Sequence, residues 1–187
     1  MTPVHASSDR HQSLSSLCRN IGIKEEDLVS AEQVHGDGIA LVSNDHRGQQ
    51  IPKVDALITK EKNLALSVRT ADCAPVLIFD PVKDVLGLVH AGRKGTELEI
   101  AYKTIQKIKE NFASAPGDLI IKIGPCIGKC CYPMDLREEN LRQLLRSGVK
   151  KENIETSPEC TRCGQDKYFS YRGDGPGTGR NFLVAML

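Results

Sequence analysis

Four apolar, β-prone runs crowd the middle of this chain, at residues 54–59, 64–69, 76–79 and 85–90. Only short segments separate them, among them the Asp80-Pro81 turn. Strands that come in runs, with helices inserted irregularly around them, predict an α+β fold rather than a regular βαβ series. The length of 187 residues suits a single domain, 1–187, with a real core.

Around this centre the pattern is thinner. Residues 9–21 read as a helix with Leu14, Leu17, Cys18 and Ile21 on one face, ended by Gly22. Short strands at 28–30 and 39–42 flank a His35-Gly36-Asp37-Gly38 turn, and 44–52 reads as a mobile polar loop. Thr96 is the predicted N-cap of a helix to Phe112, with Leu98, Ala101, Ile105, Ile108 and Phe112 stepping by three and four. A strand at 119–123 and a helix at 135–146, stopped by Gly148, follow. The tail reads as a strand at 168–171, a glycine-rich loop at 173–179 and a final strand at 182–187.

Lys+Arg is 25 against Asp+Glu 24, so no long-range field favours nucleic acid or an acidic membrane. The absence of Trp argues against binding platforms built on stacking. No apolar run approaches the roughly 20 residues of a membrane span, and residues 1–10 lack the apolar stretch of a secretory signal. Seven cysteines, two of them adjacent, do not form the even, spaced set of a disulfide framework. The expected compartment is the reducing cytoplasm.

Three residues carry the chemistry. His35 in Gln33-Val34-His35-Gly36, Cys73 in Thr70-Ala71-Asp72-Cys73 and His90 in Val89-His90-Ala91-Gly92 each end an apolar stretch beside small or turn-forming residues. Two imidazoles and a thiolate suit zinc, and three protein ligands leave a fourth position open. Cys73 with a histidine also matches a metal-free nucleophile–base pair. Asp72, an unusual core residue, is a candidate for proton transfer or ligand orientation. The loop Gly92-Arg93-Lys94-Gly95-Thr96 opens a helix directly after His90, which suits phosphate through Arg93, Lys94 and the helix start near Thr96. Arg172 and Arg180, in the glycine-rich loop, are further candidates to reach substrate.

The other cysteines read differently. Cys160-Thr161-Arg162-Cys163 with Cys130 and Cys131 has the makings of a structural zinc site, but an adjacent pair chelates one ion poorly. Core packing or a nearby thiol pair is the favoured reading for these four, and Cys126 has no assigned role.

Together the stretches AEQVHGDGI, VDALIT, LALSVRTADCAPVLIFDP, LGLVHAGRKG, IGPCIGKCCYPM, CTRC and YFSYRGDGPGTGR resemble the YfiH family, also called the laccase-domain or multicopper polyphenol oxidase-like family. The likeness runs from about residue 10 to the C-terminus. It implies a layered α/β domain of mixed or antiparallel sheets flanked by helices, with His35, Cys73 and His90 on one zinc and copper as the alternative. It also implies phosphorolysis of adenosine, inosine or methylthioadenosine, so that a small nucleoside and phosphate are the partners, together with adenosine deamination. The family's older name implies a copper-dependent polyphenol oxidase. The fold is also similar to that of a bacterial deamidating toxin domain, which gives the Cys-His hydrolase reading a second basis. Two departures stand out. Arg93-Lys94 replaces the family's usual Trp-Arg pair, and the family's opening segment with its Arg-x-Gly-Gly-type motif has no counterpart here, which makes this chain N-terminally short.

Overall fold

The computed structural model describes residues 3–187. Strand β1 (Val4–Ser7), which sequence patterning did not suggest, leads into helix α1 (Leu14–Asn20). This helix starts later than expected because the Ser13 side chain accepts the Ser16 N–H and caps it there. Strands β2 (Val29–Ala31) and β3 (Ile39–Leu41) flank the His35 turn. The polar stretch expected to be a loop contains β4 (Gln50–Ile51), which pairs in parallel with β2. The four crowded runs become β5 (Ala56–Thr59), β6 (Ala65–Thr70), β7 (Ala74–Asp80) and β8 (Val85–Ala91).

The helix expected to begin at Thr96 is two helices, α2 (Arg93–Glu97) and α3 (Ile100–Phe112). Gly92, not Thr96, is the N-cap, and Glu99 sits in the left-handed region at φ 64°, which breaks the run. Leu98 is consequently left 37% exposed instead of buried. Strand β9 (Ile120–Ile123) and helix α4 (Leu136–Arg146) follow, the latter capped by Asp135 accepting from the Glu138 N–H. Strand β10 (Ile154–Thr156) comes next. The strand expected at 168–171 is absent: Tyr168 closes a turn onto the Gly164 carbonyl, and Ser170 caps the short helix α5 (Tyr171–Asp174). The chain ends in β11 (Asn181–Met186).

These strands make two mixed sheets, ordered β1-β11-β6-β2-β4 and β10-β9-β7-β8-β5-β3. Between them lies an apolar layer that includes Leu57, Leu66, Val68, Leu77, Phe79, Leu86 and Leu88. On the outer side of the six-stranded sheet, Ile58, Val76, Ile78 and Val89 pack with Ile105 and Ile108 of α3 and Leu144 of α4. Leu17 and Cys18 of α1 cover the outer side of the five-stranded sheet through Ala65 and Val184. Side chains alternate faces along a strand, so β7 and β8, covered on both sides, are apolar on both faces up to Asp80 and His90 near their ends rather than alternating. Each such leucine or isoleucine contributes about 1.5–3 kcal/mol by leaving water. Among the described residues no helix is long and apolar enough to cross a membrane.

The same alternation aims the site. His90 shares its parity with Leu86 and Leu88, so it continues their face to the end of β8. Asp55, just before β5, shares parity with Leu57 and lies opposite His90, whose N–H donates to the Asp55 carbonyl at 2.8 Å. Gly38 closes the His35 turn onto this strand by accepting the Asp55 and Ala56 N–H groups. A Cβ at Gly38 would lie 2.3 Å from the Lys53 carbonyl oxygen, against backbone that cannot rotate away. Gly38→Ala is therefore expected to lower stability by about 1–3 kcal/mol. Urea unfolding checks this, and an unchanged midpoint would show that the turn has slack.

Candidate active site

His35, Cys73 and His90 come from three different segments, yet their ligand atoms all lie within 4.8 Å of one another. His90 is delivered by the end of β8 and is 3% exposed. Cys73 sits in the bend between β6 and β7, half-buried. His35 is exposed and held with φ at 59°, in a turn where Gln33 is also left-handed. The two imidazole rings meet edge to face at 4.9 Å.

Asp55 organises this group, and sequence reading passed over it. It is fully buried. One carboxylate oxygen accepts the His90 Nδ1 at 2.7 Å and the His35 N–H at 3.0 Å, and the other accepts the Gly36 N–H at 2.8 Å. A single carboxylate thus fixes both the His35 turn and the His90 ring. The available signal was an acidic residue set directly against an apolar strand, in Val54-Asp55-Ala56-Leu57. Gln33 anchors the other side of the turn: its amide donates to the Arg69 carbonyl and accepts the Arg69 N–H of β6.

The electrostatics follow from these contacts. Burial raises the Asp55 carboxyl, but His90 and the two turn N–H groups outweigh it and hold it below its ordinary value. Burial likewise opposes charge on His90, yet hydrogen bonds to Asp55 and Cys73 raise the imidazole to about 9. Cys73 is opposed by burial too, and its hydrogen bonds to both histidines bring the thiol down to about 7. Without a metal the site therefore favours a thiolate–imidazolium pair.

The donor set also fits a metal. Asp55 occupies the His90 Nδ1, which leaves Nε2 for an ion and gives the carboxylate–histidine support common behind zinc ligands. Gly92 keeps the space open, since a Cβ there would lie 3.0 Å from both Cys73 Sγ and a His35 ring carbon. A cavity of about 400 Å³ opens above the three ligands. Ile127, Tyr132, Leu136 and Tyr171 supply apolar wall, and Arg69, Arg93, Arg172 and Arg180 line it with cations.

The other expected site residues divide. Asp72 lines the cavity, but its carboxylate accepts from Thr161 at 2.8 Å, Ser170 at 2.6 Å and the Arg172 N–H at 2.7 Å. Those three donors make it a clamp for the loop that carries Arg172. Arg172 itself stacks over Tyr132 at 5.1 Å. Arg93 is tied to Glu97 at 2.8 Å and still borders the cavity. Lys94 is exposed and does not line it. Thr96 is buried in helix packing, accepting from Asn140 at 3.0 Å, because the helix begins one turn earlier than expected. Arg69, at the end of β6, was not foreseen.

Residues 6–135 and 132–187 match the family described as multi-copper polyphenol oxidoreductase laccase. The purine nucleoside phosphorylase YlmD of Geobacillus stearothermophilus is 31% identical over 217 residues, covering 95% of this chain and 79% of its own length. The purine nucleoside phosphorylase of Clostridium acetobutylicum is 35% identical over 183 residues, covering 84% of this chain and 75% of its own. The crystal structure of YlmD from G. stearothermophilus aligns with a TM-score of 0.89 at 32% identity, across 92% of this chain and 77% of that one.

The coupling of Asp55, His90 and Cys73 has a measurable sign. A thiol lowered to about 7 is mostly thiolate at pH 8, where an ordinary thiol at 9.0 is not. In chelator-treated protein, Cys73 alkylation by iodoacetamide should therefore rise with a midpoint about 7, as read by peptide mass. Asp55→Asn removes the charge that keeps His90 protonated, so the Cys73 midpoint should move up. An unmoved midpoint would show that Asp55 does not set the pair.

Proposed function

The chain belongs to the multi-copper polyphenol oxidoreductase laccase family, and from that footing we propose that it is a zinc-dependent purine nucleoside phosphorylase. The observation that carries the reading is the convergence of His35, Cys73 and His90 beneath a cavity lined by both apolar side chains and arginines. Relatives that align over most of this chain are named purine nucleoside phosphorylases, with no metal in the name.

The cavity volume of about 400 Å³ falls within the usual range for a small-molecule site. Tyr132, Ile127, Leu136 and Tyr171 suit the flat, apolar faces of a purine base. Arg93, Arg172 and Arg180 suit phosphate, since a guanidinium grips an oxyanion with two parallel hydrogen bonds. The proposed phosphate subsite leaves out Lys94, which does not line the cavity, and Thr96, which is buried. In the reaction a phosphate oxygen bonds to the sugar C1′ as the bond to the base nitrogen breaks, and the departing purine takes up a proton. The residues of this chain orient the two reactants and neutralise phosphate charge, while Asp72 positions the Arg172 loop. His35, Cys73 and His90 would hold a zinc ion, which when bound would supply positive charge beside the reacting groups; copper is the alternative ion. Adenosine, inosine and methylthioadenosine are the proposed nucleosides, with adenosine deamination in the same cavity.

One observation favours a second reading. Asp55, His90 and Cys73 stand in the order of a carboxylate, base and nucleophile, which also suits metal-free acyl transfer or deamidation.

Incubation of purified protein with inosine and phosphate, with metal content measured on the same sample, decides between them. Ribose 1-phosphate formation that stops on chelation and returns with zinc is expected. Activity that survives chelation, or an absence of both metal and ribose 1-phosphate, overturns the zinc phosphorylase. Arg172→Ala should raise KM for phosphate by about tenfold or more, the worth of a charged hydrogen bond, whereas Lys94→Ala should leave it unchanged.

A further inference from the structure

The four cysteines set aside in the sequence lie in a second cluster, separate from the cavity ligands. The sulfurs of Cys130, Cys131, Cys160 and Cys163 all fall within 4.8 Å of one another. Cys163 Sγ is 3.6 Å from Cys130 Sγ and 3.5 Å from Cys131 Sγ. A disulfide needs sulfurs about 2.05 Å apart. Four thiolates around one zinc, each at about 2.3 Å, stand about 3.8 Å from one another. The observed spacing is that of ligands, not of a bond.

Local structure explains how an adjacent pair can serve. Residues 129–131 form a turn, with the Cys131 and Tyr132 N–H groups both donating to the Gly128 carbonyl. In a turn, unlike a strand, neighbouring side chains do not point to opposite sides, so Cys130 and Cys131 both reach Cys163. Gly128 leaves the room: a Cβ there would lie 3.3 Å from both Cys130 Sγ and Cys160 Cβ. Its N–H donates to Cys160 Sγ at 3.2 Å, a backbone contact that suits a ligating thiolate. Core packing does not account for the group, because Cys130 and Cys163 are exposed. Cys126 does belong to the core, and burial pushes its thiol up to about 12.

We propose that Cys130, Cys131, Cys160 and Cys163 bind one structural zinc ion, independent of the His35–Cys73–His90 site. Protein sulfur fills all four tetrahedral positions, so the ion is a fastener without an open position for substrate. It ties the 128–132 turn to the 160–163 turn. The first leads from Ile127 into Tyr132 of the cavity wall, and the second carries Thr161, which holds Asp72. The Arg172–Tyr132 stack ties the first turn to α5, whose Arg172 N–H donates to the same Asp72.

The test uses the full chain with His35→Ala and His90→Ala, which disable the first site and leave the four cysteines. The double variant is expected to retain one equivalent of zinc, and cobalt exchanged into it should show the intense visible and sulfur charge-transfer bands of a tetrahedral thiolate complex. Adding Cys160→Ser and Cys163→Ser should remove that metal. Should those variants fail to fold, unmodified protein gives a second reading: the exposed Cys130 and Cys163 should resist iodoacetamide until chelator is added. Metal-free double variant with rapid labelling of these two thiols overturns the proposal, as does finding them paired in disulfides by mass under non-reducing conditions. These readouts do not involve nucleoside turnover, so they stand or fall apart from the phosphorylase.

Discussion

The buried carboxylate of Asp55 is the interaction on which the rest of the site depends. Taking a charge out of water costs several kcal/mol unless every lone pair is answered. Here the answers come from three places at once: the His90 ring, the His35 N–H and the Gly36 N–H. The backbone of the same residue joins β8 through the His90 N–H and the His35 turn through the Gly38 carbonyl. The left-handed turn, the end of the central strand and the ring orientation are thus one cooperative unit, and none can shift without exposing an unpaired donor.

The layers around that unit were legible in the sequence because they obey short-range rules. Residues 76–79 and 85–90 are apolar at nearly every position, which marks strands covered on both faces, and β7 and β8 are just that. The span of α4, expected at 135–146 and found at Leu136–Arg146, was equally local. Strands β1, β4 and β10 were not legible, since each is two to four residues long and is held by pairing with a distant partner. The break at Glu99 is a backbone conformation that periodicity does not record.

The site divides along similar lines. His35, Cys73 and His90 announce themselves by sitting at the ends of apolar runs, and the structure brings them to one cavity. Asp55 carries no motif of its own; its meaning lies in the cross-strand pairing with His90. The cationic lining of the cavity was least legible, because a loop arginine and a loop lysine look alike in sequence. The early start of α2 turns Arg93 toward the cavity and leaves Lys94 outside it. The cysteine group is hard to read for a geometric reason, since whether adjacent cysteines can chelate depends on whether they lie in a strand or a turn, and spacing in sequence does not record which.

The double covering of β7 and β8 reaches further than stability. A sheet wrapped on both faces offers no working surface of its own, so chemistry is confined to the rim where strands end and loops begin. In this protein the rim holds His35, Cys73 and His90, while the cavity walls are lent by the segments around Tyr132 and Tyr171. Those segments can be exchanged or lengthened with little effect on the wrapped layers. Selectivity and foldability are therefore separable inheritances: a lineage can change what the cavity accepts and keep the same interior.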